Sequence, residues 1–189
     1  MLQDDKINLL ARVARTPSGP PSARSNQSIL LLAALSYGAR PDDEATVPTG
    51  FDPSAARLFE AILEGAYLVA SADGVVDAAE RDAFERVVAA ACGGIIDHEQ
   101  IKALVSDFAD QLADDGLDGR VAAIGKSAQK PSHAMEVLRI AALLAQTSDD
   151  VSDVERNVLT KLAVAVGLGE SSVEKALADV DAALATNKT

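Results

Sequence analysis

The chain has 189 residues, 48% of them hydrophobic but only 3% aromatic and none of them Trp, so its core must be built from small aliphatic side chains. That composition favours closely approaching helices over a sandwich of sheets. A formal net charge of -12, from 29 acidic and 17 basic residues, repels duplex nucleic acid, and the sequence shows no basic patch to offset it.

Six of the seven prolines fall within the first 53 residues, and this shift separates an N-terminal arm and linker, residues 1–52, from a helical bundle, residues 53–189. The start, Met1-Leu2-Gln3-Asp4-Asp5, lacks the basic flank of a secretion signal, which points to a cytoplasmic protein. Within the arm, Lys6 to Ala14 can form a short helix, and Thr16 to Asn26 reads as a Pro/Gly/Ser-rich linker. Ser28 to Tyr37 is apolar, too short to cross a bilayer, and expected to pack on the bundle or on another subunit of a homodimer. A loop from Gly38 to Phe51 then returns to the bundle.

Pro53 suits a helix start, and Leu58, Phe59, Ile62, Leu63, Ala66, Tyr67 and Ala70 recur at three- and four-residue steps. The spacing predicts a first main helix over about 54–72, ended by Asp73-Gly74. Asp77 with Glu80 forms a capping-box signature for a second helix, whose apolar face runs through Phe84, Val87, Val88 and Ala91 to Gly93-Gly94. The lone Cys92 excludes an internal disulfide, fits a reducing compartment and, in an apolar run, reads as a core residue.

Asp97 with Gln100 repeats the capping logic for a third helix carrying Ile101, Leu104, Val105, Phe108 and Leu112 on one face and Asp107, Asp110, Asp114 and Asp115 on the other. A less regular connection is expected over Gly116 to Lys130, with a short helix at Val121 to Ile124. Pro131 opens the next helix, Ser152 with Glu155 caps the one after, and Ser171 with Glu174 caps the last. The histidines, His98 and His133, each fall in a first helical turn and are not read as ligands.

The second half repeats the first. Val76-Asp77-Ala78-Ala79-Glu80-Arg81 and Val151-Ser152-Asp153-Val154-Glu155-Arg156 lie 75 residues apart, and at that offset Leu63 aligns with Leu138, Leu68 with Leu143 and Phe84 with Leu159. The expected architecture is all-α: an internally duplicated, pseudo-twofold helical bundle of two three-helix halves with an N-terminal helical arm.

The duplicated turns also hold the candidate chemistry. Asp73, Asp77 and Glu80 place three carboxylates within eight residues, and packing about a pseudo-twofold axis would pool them with Asp149, Asp150 and Glu155. Hard divalent cations take clustered oxygen ligands of this kind, although the spacing is not that of an EF-hand. The same residues read equally as helix caps, which need no ligand. No Ser/His/Asp set, phosphate-cradling Gly loop, paired CxxC or HExxH helix is present, so the sequence gives no positive support for an enzyme.

Ala70-Ser71-Ala72-Asp73-Gly74, followed by Glu80 in the next helix and by a degenerate second copy, resembles the TerB family of tellurite-resistance proteins over roughly residues 53–185. The resemblance implies an all-helical, internally pseudo-symmetric, cytoplasmic bacterial protein of tellurite resistance and stress response. It further implies an acidic surface that binds a divalent cation, calcium or magnesium rather than zinc, and a membrane-embedded partner of the same resistance system that recruits it to the inner face of the membrane. Carried onto this chain, the metal site comprises Asp73, Asp77 and Glu80, helped by Asp149 and Glu155. Ser148 and Asp149 replace the second motif's Asp and Gly, which favours one asymmetric site over two equal ones. Arg139 stands at the position equivalent to Glu64, where a salt bridge would neutralise one side. The alternative is a protein-interaction scaffold with an acidic surface and no metal site.

Overall fold

The computed structural model describes residues 4–17, 28–41, 50–74, 76–146 and 151–187, and among these the chain is all-α, with eight helices and no strand. The helices are α1 (Asp4–Arg15), α2 (Ile29–Gly38), α3 (Pro53–Ala70), α4 (Ala78–Cys92), α5 (His98–Ser127), α6 (Pro131–Ala145), α7 (Asp153–Ala165) and α8 (Ser171–Asn187).

Three of the expected helix starts are formed by reciprocal caps. At α4, Asp77 accepts from the backbone of Ala79 and Glu80 while Glu80 reaches back to the Asp77 N–H; Asp97 with Gln100 does the same for α5 and Ser152 with Glu155 for α7. Asp52 caps α3 ahead of Pro53, which occupies the first helical position, where its missing N–H costs nothing. Gly93 ends α4 at φ 64°, the left-handed conformation that glycine adopts without strain. The expected cap of Ser171 with Glu174 is not formed: α8 already begins at Ser171, and Glu174 accepts from Arg156 at 2.7 Å.

The connection over Gly116 to Lys130 differs from expectation. Helix α5 continues to Ser127, interrupted only at Gly116 (φ 69°, ψ 167°), a conformation open to a residue without a Cβ. Beyond the break, Leu117, Val121, Ile124 and Ala128 return at three- and four-residue intervals with no proline among them, and Val121, Ile124 and Ala128 are buried. That stripe is what makes the segment a continuous helix rather than a short one at its middle.

Helices α3 and α6 lie at the centre of the fold: α3 packs on α2, α5, α6 and α7, and α6 packs on α3, α7 and α8. Both are buried along most of their length, in keeping with apolar residues on more than one face. Helix α1 packs on α4 and α8, α2 on α3, and both contribute to one hydrophobic cluster with the helices beyond residue 53. The few aromatics lie together, with Tyr67 between Phe84 and Phe108 at ring separations of 6.1 Å and Tyr37 against Phe59 at 5.0 Å.

Candidate functional site

Of the five proposed metal ligands, four are described. Asp73 is exposed on the turn after α3, and Asp77 and Glu80 are exposed at the start of α4. Asp77 Oδ1 accepts N–H bonds from Ala79 at 2.7 Å and Glu80 at 2.9 Å, and Glu80 Oε2 accepts from Asp77 N–H at 2.8 Å. In the second turn, Glu155 Oε2 accepts from the Ser152 backbone at 2.7 Å and from its hydroxyl at 2.8 Å. Asp149, like Asp150 and Ser148, lies outside the described residues.

Those bonds give Asp77, Glu80 and Glu155 a local task. An oxygen fixed on the N–H groups of the first helical turn compensates donors that have no partner within the helix, and its charge opposes the positive end of the helix dipole. Among the described residues, no group of three His, Cys, Asp or Glu side chains is placed to hold a metal ion. What the turn supplies on its surface is negative charge at a helix start, presented to solvent.

The more heavily buried carboxylates lie elsewhere. Glu136 on α6 is fully buried and receives Arg139 through both oxygens, at 2.9 and 3.0 Å, together with the Leu30 N–H at 3.2 Å. The same guanidinium donates to the carbonyls of Val13 and Ala14 at 3.1 and 2.9 Å. One ion pair thus joins the end of α1, the start of α2 and the middle of α6. Arg139 does form a salt bridge, but within its own helix rather than with the acidic turn.

Glu64, which aligns with Arg139 at the 75-residue offset, pairs with Arg120 at 2.5 Å across α3 and α5, and Arg120 also donates to Asp115 at 2.9 Å. The hydrogen bond to Glu64 pushes the Arg120 pKa further up, so that guanidinium stays charged. Glu85, also buried, accepts from Arg81 at 3.1 Å and lies 3.8 Å from His98 Nε2. No sequence motif marks Glu64 or Glu136; an acid at a core-facing position of an otherwise apolar helix is the only local signal.

Cys92 is fully buried, and desolvation pushes its thiol up to about 12 despite the nearby Arg15. It is therefore protonated and shielded, as its apolar neighbours foretell, and is unsuited to redox or nucleophilic work. None of the described helices is long and apolar enough to cross a membrane.

The outward side of α5 carries a row of acids. Asp107, Asp110 and Asp114 are all exposed and, at steps of three and four, share one side of the helix.

A family model described as tellurite resistance protein TerB matches residues 60–178, which includes both capped turns and the whole of α5 and α6. No curated protein and no solved structure matches the chain.

Proposed function

Because the chain belongs to the TerB family of tellurite resistance proteins, we propose that it serves that resistance as a non-enzymatic interaction module, recruiting a basic protein partner through its acidic surface. The observation that carries this reading is the exposed row Asp107, Asp110 and Asp114 on α5, in a chain of net charge -12. Charge of one sign along a rigid helix attracts and orients a partner of the other sign. Cytoplasmic loops of membrane proteins are rich in Lys and Arg, so a membrane-embedded member of the same resistance system is a chemically matched partner.

The competing reading is a divalent-cation site at Asp73, Asp77 and Glu80, assisted by Asp149 and Glu155, and exposure of Asp73 beside the α4 start favours it. The capping bonds of Asp77, Glu80 and Glu155 support giving precedence to interaction.

Two measurements separate them. In cells that depend on this protein for tellurite resistance, Asp107→Asn/Asp110→Asn/Asp114→Asn is expected to abolish resistance while helicity by circular dichroism is unchanged; full resistance would reject the α5 face. In calorimetry, calcium, magnesium, manganese and zinc are expected to give no saturable heat. Saturable binding that disappears in Asp73→Ala/Asp77→Ala would transfer the function to the metal reading.

A further inference from the structure

A groove of about 680 Å³ opens between the start of α2, the start of α3 and the junction of α5 with α6. Its apolar wall includes Leu32, Ala33 and Leu58, and its cations are Arg57, Lys126 and Lys130. Leu32 is 42% exposed there, a large side chain left partly in water on a helix that is apolar all round.

The cations are notable for their surroundings. Elsewhere on this acidic chain, Arg40, Arg81, Arg86, Arg120, Arg139, Arg156, Lys102, Lys161 and Lys175 each meet a carboxylate, and Arg12 and Arg15 donate to backbone carbonyls. Among the described residues, no such ion pair is formed by Arg57, Lys126 or Lys130. Arg57 donates to Ser54 Oγ at 3.5 Å, and Asp52, the acid on the groove wall, is occupied in capping the Ser54 N–H at 2.8 Å. The start of α6, on the same groove, has Lys130 at its cap position and no side chain accepting its first N–H groups. Its dipole therefore adds to the positive potential of the three side chains.

We propose that this groove is a binding site for a small organic anion, one carrying a phosphate or carboxylate head on an apolar body. The head would be held by Lys126, Lys130 and Arg57 at the open α6 terminus, and the body would lie along Leu32, Ala33 and Leu58, covering leucine surface that now faces water. The volume falls within the range of small-molecule sites, and the mixture of apolar wall and convergent polar groups is the usual composition of one. The site shares no residue with the acidic turns or the α5 aspartates, so its fate is independent of either reading of them.

Octyl phosphate, octanoate, inorganic phosphate and octanol, titrated into the full chain with binding followed by calorimetry, test this. Octyl phosphate or octanoate is expected to saturate, at least about tenfold more tightly than inorganic phosphate or octanol, because head and body contribute together. The variant Lys126→Gln/Lys130→Gln, with unchanged helicity, is expected to weaken binding about tenfold or more, and Arg57→Gln provides a second variant on a different helix. A preference for octyl phosphate identifies the phosphate head and a preference for octanoate the carboxylate. Failure of both to saturate, equal binding of inorganic phosphate, or affinity unchanged in both variants would overturn the site.

Discussion

Replacing Arg139 by Met removes one planar group and leaves a defect in two helices at once. Glu136, 0% exposed, loses the guanidinium that meets both its oxygens, and the carbonyls of Val13 and Ala14 lose the donor that held the end of α1. Breaking a buried ion pair from one side costs about 3–5 kcal/mol, because the remaining charge stays desolvated. The Arg139 side chain is itself only 14% exposed, which places this pair in the buried class rather than among surface pairs of about 0–1 kcal/mol. With an unfolding entropy of about 2.1 cal/mol/K per residue, the chain changes by about 0.4 kcal/mol per degree, so Arg139→Met should lower Tm by about 8–12 °C. Urea denaturation gives the free energy directly, and Glu136→Leu/Arg139→Met, which removes both charges, should recover most of the loss. A loss below about 1 kcal/mol for the single variant, or a double variant as unstable as the single one, would refute this account of the pair.

Two further substitutions probe features read from the fold. A Cβ at Gly125 would lie 2.4 Å from the carbonyl oxygen of Ala165, where α5 meets the end of α7, so Gly125→Ala should destabilise by about 1–3 kcal/mol in urea denaturation, against the usual gain from replacing a helical glycine. Unchanged or increased stability would mean that α5 and α7 separate easily. Burial, aided by Lys130, holds the His133 imidazole below its ordinary 6.5, so the unfolded chain takes up that proton first. Stability from this residue is full above about pH 6.5 and is lost as pH falls below it, and His133→Gln should flatten the fall in Tm between about pH 7 and 5. Parallel curves for the two proteins would contradict the assignment.

Helix starts were legible because a cap is local: Asp77 with Glu80 and Ser152 with Glu155 each satisfy their N–H groups within four residues. The ending of α4 at Gly93 was legible for the same reason. Helix α5 past Gly116 was misread, since the glycine and a polar stretch hid a buried stripe whose value comes from α3 and α7 packing against it. The acidic turns were legible as sequence features, but Asp77, Glu80 and Glu155 also serve in caps, and no residue count distinguishes a capping oxygen from a ligating one. The Glu136–Arg139 pair was not legible, because its other partners, Val13, Ala14 and Leu30, lie more than 100 residues away in sequence. The cationic groove was missed similarly, as Arg57 and Lys126 meet only through the fold.

The bonds at the end of α1 have a consequence for biosynthesis. Arg139 holds its last carbonyls, Arg12 reaches the Asn187 carbonyl at 3.4 Å, and Arg15 donates to the carbonyls of Ala90 and Ala91 at the end of α4. Helix α1 therefore acquires the α8 side of its docking surface long after it is itself made. At about 5–20 residues per second, translation from Arg12 to Asn187 takes roughly 10–35 s, during which α1 lacks the α8 side of its seat. Helix α1 thus stays open on one side until α8 has been synthesised.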